Sequence, residues 1–180
     1  MALGDILREA LSNFFADVDE RLAFAREPDL VNRFAFGYLA PLVRLGGELR
    51  SLKQLAVEGT VPHHPLRGER SLHRDTDKDV VIWPDDCGCV RDDRGLITCY
   101  PMAIVEWKTL CASDSRSAIE AKKNRQLQYD IPWLEEACEK SPTFTGYAAL
   151  LDVRPTSRQL DVTRVRKGSK SNWLHLPANR

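Results

Sequence analysis

A chain of 180 residues, 43% of them hydrophobic, is the size of one domain and can bury a core without disulfide or metal staples. Lysine plus arginine equals aspartate plus glutamate at 26 each, so net charge neither requires nor excludes a nucleic-acid partner. No apolar window approaches the roughly 20 residues that span a bilayer, so no membrane partner is expected. Five cysteines, without a basic and apolar leader at Met1-Ala2-Leu3-Gly4-Asp5, point to a reduced, cytoplasmic protein.

Ile6, Leu7, Leu11, Phe14, Phe15, Val18, Leu22 and Phe24 recur at the spacing of an amphipathic helix over residues 5–25. Glu27-Pro28-Asp29 opens a second helix with Pro28 in its first turn; Leu30, Val31, Phe34, Phe36, Leu39, Leu42, Val43 and Leu45 give it a broad apolar face and Gly46-Gly47 ends or kinks it. A short helical segment is expected over 48–57, then a loop around Val61-Pro62-His63-His64-Pro65 and a first strand over 71–74. Asp75-Thr76-Asp77-Lys78 turns the chain into a strand that begins at Asp79 and runs to Trp83. Segments 96–100 and 102–110 read as strands, and 84–100 as an extended hairpin turning at Arg91-Asp92-Asp93-Arg94-Gly95. Residues 117–137 are helical, with Pro132 ending or kinking the helix, 147–153 form a buried strand, and 160–165 alternate as an edge strand does. From Arg154 onward, Arg158, Arg164, Arg166, Lys167, Lys170 and Arg180 are set against the single acid Asp161, making 154–180 a basic segment.

The residues that carry chemistry lie between 77 and 108. Alternation along the strand ending in Glu106-Trp107-Lys108 puts Glu106 and Lys108 on one face and Trp107 on the other, and Asp79 faces them from the adjacent strand. Neighbouring strands lie roughly 4.8 Å apart, close enough for two carboxylates to share one hard divalent cation. Asp-x(n)-Glu-x-Lys across a hairpin resembles the signature of the PD-(D/E)xK nuclease superfamily, matched residue by residue at Asp79, Glu106 and Lys108. A literal Pro-Asp pair stands at Pro84-Asp85, but Asp85 follows the apolar strand and falls in a turn at its far end, so Asp79 is preferred.

The resemblance covers about residues 28–165. It implies a restriction-endonuclease-like α/β fold, an α-β-β-β-α-β core whose central mixed sheet is flanked by helices, with an N-terminal helix (1–27) and the extended hairpin added in one domain over 1–180. It also implies a nuclease that uses Mg²⁺ or Mn²⁺ to hydrolyse phosphodiester bonds in DNA, RNA remaining open. Asp79, Glu106 and Lys108 are then catalytic, Asp79, Glu106 and the Trp107 carbonyl hold the metal, and Lys108 positions or helps deprotonate a water. Many members of the superfamily carry a further acid on the first core helix, for which Glu27 and Glu48 compete. Some also carry a Gln and a Tyr on the following helix; here Gln126 and Tyr129 are one residue closer than that spacing. Lys122, Lys123, Arg125 and Gln126 are the expected contacts to nucleic acid, through phosphates and without sequence preference. Segments 58–76 and 84–100 are the expected substrate readers.

Two other readings stand beside this one. The first is a catalytically silent nucleic-acid-binding or scaffolding domain of the same fold. The second is an accessory domain in which the acid-Lys pair is structural and a cysteine hairpin holds the chain together. A structural Zn²⁺ on Cys87, Cys89 and Cys99, with His73 or Cys111 as fourth ligand, is the weaker cofactor reading, because Cys-x-Cys is not the usual knuckle spacing. His63, His64 and His175 are expected in loops. The N-terminal helix either supports a homodimer or caps its own core.

Overall fold

The structure, a computed structural model, describes residues 1–18, 25–62, 76–84 and 99–177. Its centre is a six-stranded mixed sheet in the order β1-β2-β3-β4-β5-β6, formed by β1 (Leu55–Val61), β2 (Thr76–Ile82), β3 (Ala103–Leu110), β4 (Thr145–Asp152), β5 (Gln159–Arg166) and β6 (Ser169–Pro177). The β3–β4 pair is parallel and every other neighbouring pair is antiparallel. A helical crossover therefore separates β3 from β4, as a parallel pair requires.

Helices cover both faces. α1 (Leu3–Asp17) buries Ile6, Leu7, Ala10, Leu11 and Phe14, an i, i+3/i+4 stripe. α2 (Glu27–Phe34) starts with Pro28 and two acids in its first turn, which suits the exposed N–H groups and positive dipole end there, and continues through a π turn (Ala35–Leu39). Both helices pack on Val80, Ile82, Val105, Trp107, Tyr147 and Leu151. The opposite face is covered by α4 (Ile131–Lys140), whose Ile131, Trp133, Leu134 and Ala137 meet Val81, Ile104, Ala148 and Val165. Gly146 lets α4 come close, since a Cβ there would stand 2.8 Å from Leu134.

Five sequence expectations change. Residues 48–57 contain only a short 3-10 turn (Leu52–Gln54) before β1. Leu49, Leu52 and Leu55 fall at helical spacing, yet Leu52 is exposed, and buried Gln54 instead ties the entry of β1 to the exit of β2 by bonding the Trp83 carbonyl at 3.0 Å. β2 begins at Thr76, so Asp79 sits in mid-strand rather than at its head. The 117–137 helix is two helices, α3 (Arg116–Arg125) and α4, joined by a π turn (Gln126–Asp130), with Pro132 in the first turn of α4 where its missing N–H costs nothing. β5 is not the edge: the chain turns at Lys167-Gly168, with Gly168 at φ 67°, and returns as β6. His175 lies in that strand, paired with Asp161 at 2.6 Å, rather than in a loop. The strand expected over 71–74, residues 85–98 of the hairpin, the last turns of the first helix, Asp85, His63 and His64 lie outside the described residues. Among the described residues no helix is long and apolar enough to cross a membrane.

Candidate functional site

The site arises where two neighbouring strands lose their regular alternation at the same level. β1 and β2 pair from Leu55↔Ile82 to Val57↔Val80 and again from Gly59↔Lys78, leaving out Glu58 and Asp79. Glu58 has φ 50°, the left-handed region. Above this point Ala56 and Val81 face α4; below it Val61 does, although its odd number would place it with Leu55 and Val57 on the α1/α2 face. Lys78 makes the same switch. Its Nζ lies 2.5 Å from Glu106 Oε1 and 3.9 Å from the centroid of the Trp133 ring on α4.

Asp79 sits at the switch itself. The β2–β3 ladder ends at Val80↔Val105, and beyond it the Trp107 N–H donates to Asp79 Oδ2 at 2.7 Å. A side-chain carboxylate thus takes the place of a strand carbonyl, beside Glu106, the residue before Trp107. β3 stays regular. Trp107 is fully buried on the α1/α2 face, its ring centroid 5.6 Å from Phe14 and 5.1 Å from Phe34, while Glu106 and Lys108 project together on the other side. Lys108 Nζ donates to the Trp107 carbonyl at 2.6 Å and lies 3.2 Å from Asp130 Oδ2 and 4.0 Å from Glu27 Oε1. Glu27 Oε2 also accepts the Thr109 N–H at 2.8 Å, so the start of α2 is fastened to β3.

These groups perturb one another. Burial raises the Asp79 pKa above the ordinary carboxylate value, more than the Trp107 N–H and Lys108 lower it. Burial also raises Glu106, with Asp79 adding to the effect and Lys78 opposing it. Burial raises Asp130 in the same way against the pull of Lys108. Desolvation works against the Lys108 ammonium, but Asp130, Glu27, Asp79 and Glu106 together outweigh it and the lysine pKa rises. Lys108 is therefore a fixed positive charge near neutrality.

Of the competing helix acids, Glu27 reaches the site and Glu48 does not: Glu48 Oε2 accepts the Leu3 N–H and caps α1. The expected nucleic-acid contacts divide. Lys122 is engaged with Asp114 at 2.7 Å and the Thr109 carbonyl at 2.8 Å, and Gln126 is buried, whereas Lys123 and Arg125 are exposed. Much of the basic C-terminal segment is also paired: Arg154 with Asp152, Lys170 with Glu135, and Arg158 with the Phe15 carbonyl. Cys99 is disulfide-bonded, against the expectation of a fully reduced chain, and Cys111 is a buried free thiol facing the Ala25 carbonyl. Cys99 packs in the cluster under α4 and Cys111 in the cluster under α1 and α2, on opposite faces of the sheet, so the two do not share a zinc ion. Cys87, Cys89 and His73 are outside the described residues.

Compared with known proteins, the chain matches no family model, no curated protein and no solved structure. Two residues of the cluster are absent from the sequence reading. Asp130 had a signal, since it stands at the spacing from Gln126 where an aromatic was sought. Lys78 had none, because the sequence places it in the turn before the strand that begins at Asp79.

The oxygen donors suit a hard divalent cation in kind. Asp79, half-buried, and Glu106, buried, are neighbouring carboxyls whose pKa values burial raises, and the Trp107 carbonyl accepts from Lys108 beside them. Among the described residues no group of three or more His, Cys, Asp or Glu is placed to hold a metal ion, so protein ligation would rest on two carboxylates and a carbonyl.

Proposed function

We propose that this protein is a divalent-metal-dependent nuclease of the PD-(D/E)xK type that hydrolyses phosphodiester bonds, with DNA as substrate. The observation that carries the proposal is the convergence of Asp79, Glu106 and Lys108 at the point where β2 and β3 part, with Glu27 from the preceding helix beside Lys108. The order α2, β1, β2, β3, helices, β4 supports it, being the α-β-β-β-α-β sequence of that superfamily.

Asp79, Glu106 and the Trp107 carbonyl would hold Mg²⁺ or Mn²⁺, which supplies Lewis acidity toward a phosphate oxygen and toward water. The protein's own contribution is electrostatic. Lys108, kept charged by Asp130 and Glu27, offsets negative charge that grows on the phosphorus centre as water adds and the ester oxygen leaves. Glu27 and Asp130 act through Lys108 by fixing its position. Lys123 and Arg125, exposed on α3, are free to meet phosphates without reading sequence.

The silent binding or scaffolding domain is the second reading. It is favoured by the internal pairing of both site ammonium groups, Lys78 on Glu106 and Lys108 on Asp130, which leaves a self-neutralised cluster. Incubation with linear, circular and single-stranded DNA plus Mg²⁺ or Mn²⁺, beside Asp79→Ala and Lys108→Ala, separates the two. Cleavage by wild type, lost in both variants, is expected. No cleavage of any substrate, with folded variants that bind DNA as wild type does, would replace the nuclease with the silent domain.

A further inference from the structure

Lys78 is a buried cation to which the nuclease reading gives no task. It is 8% exposed, although a lysine on a strand ordinarily runs its stem along the surface and keeps its ammonium in water. Here the strand pair reverses its alternation, with a left-handed residue at Glu58, and delivers that ammonium to the inner side of the site. A buried ammonium is costly unless paired, and its partner is Glu106 Oε1 at 2.5 Å, with the Trp133 ring 3.9 Å away on the other side.

That partner belongs to the carboxylate that the nuclease reading assigns to the metal. A magnesium ion approaches a carboxylate oxygen to about 2.1 Å, so an ion on Glu106 Oε1 and an ammonium on the same oxygen would stand side by side as like charges in a water-poor site. An ion on Oε2 would still stand within one carboxylate of the ammonium, so the two compete for Glu106. The Trp133 face offers the ammonium a place to remain, since an aromatic ring attracts a cation without a carboxylate.

We propose that Lys78 is an internal competitor for the divalent cation: it occupies Glu106 while the metal is absent and must withdraw along the Trp133 face for the metal to bind. This inference rests on the metal-dependent reading of Asp79 and Glu106. Lys78 thereby keeps Glu106 paired and ordered in the metal-free protein, and it weakens cation binding. A purely structural ion pair would do the opposite, because removing it would disorder Glu106 and loosen the metal.

The test is Mn²⁺ binding to the full chain, followed by the electron paramagnetic resonance signal of free Mn²⁺. Wild type, Lys78→Met and Lys78→Gln are compared, each with and without Glu106→Gln, after circular dichroism has confirmed folding. Lys78→Met keeps the length of the stem against Trp133, and Lys78→Gln serves if the methionine misfolds. Both variants are expected to bind Mn²⁺ roughly tenfold more tightly than wild type, and the gain disappears with Glu106→Gln. Glu106-dependent binding in wild type that stays equal or weakens in the Lys78 variants overturns the competition and leaves the metal site standing. Absence of Glu106-dependent binding in every variant overturns both.

Discussion

Asp130 Oδ2 lies 3.2 Å from Lys108 Nζ, at the end of a π turn whose first residue, Gln126, is also buried. Without the extra residue that a π turn inserts, Asp130 would be rotated away from β3. Asp130 Oδ2 has no hydrogen-bond donor of its own, so the ion pair is what offsets its burial. Lys108→Met is expected to lower stability by about 1–3 kcal/mol, less than the full cost of breaking a buried pair, because the Asp130 carboxyl can take a proton. A double-mutant cycle with Asp130→Asn, read by urea unfolding, should give a coupling of about 1–2 kcal/mol. Simple additivity of the two losses would mean that the contact is not made. On the nuclease reading, Asp130→Asn also lowers kcat about tenfold with Mn²⁺ affinity unchanged, since it acts on the position of Lys108 and not on the metal.

Glu27 and Glu48 are two acids with separable tasks. Glu48→Gln weakens the charged acceptor at the N-terminus of α1 and should cost about 1 kcal/mol in thermal or urea unfolding while leaving cleavage intact. Glu27→Gln can still accept the Thr109 N–H, but it removes a charge 4.0 Å from Lys108. Its stability loss should be similarly small and its cleavage loss larger, about tenfold. Equal activity losses in the two variants would contradict the assignment of Glu27 as the helix acid.

Stability should fall as pH rises through the range in which the site carboxyls ionise. Asp79, Glu106 and Asp130 all have folded pKa values raised by burial, so between the unfolded carboxylate value of about 4 and those raised values the folded state holds more protons than the unfolded one. Their contribution is most favourable below that window and is lost as pH passes upward through it. Melting temperatures of wild type from about pH 4 to about pH 8 should therefore decline more steeply than those of Asp79→Asn with Glu106→Gln, whose amides do not titrate. Parallel curves would show that these carboxyls ionise at ordinary values. The raised Lys108 value works in the same direction but only at strongly alkaline pH, near the lysine range of about 10.

How much of this was legible follows from how local each cause is. The start of α2 could be read because Pro28 and its neighbouring acids act within one turn. The facing of Glu106 and Lys108 could be read because β3 keeps a strict period of two, with Trp107 locked between Phe14 and Phe34. β6 escaped notice because its first four residues are polar and exposed, as suits an edge strand, and its one clear signal is the Lys167-Gly168 turn. β1 was hidden by leucines at a spacing that imitates a helix. Lys78 was unreadable in principle from its own neighbourhood, since the residue in a left-handed conformation lies twenty positions earlier on another strand.

That distant cause can itself be tested. Glycine inside a strand ordinarily weakens it, by roughly 0.5–1 kcal/mol relative to alanine. At Glu58 the sign should reverse, because φ is 50° and the side chain is exposed, so Glu58→Gly relieves a conformation that disfavours any Cβ and should raise stability by about 1 kcal/mol. The neighbouring substitution should behave oppositely: a Cβ at Gly59 would stand 2.8 Å from Val81 and 3.1 Å from Ala56, and Gly59→Ala is expected to cost about 1–3 kcal/mol. Unfolding curves of the pair decide it. A loss of stability in Glu58→Gly would mean that β1 does not hold a left-handed residue at this point.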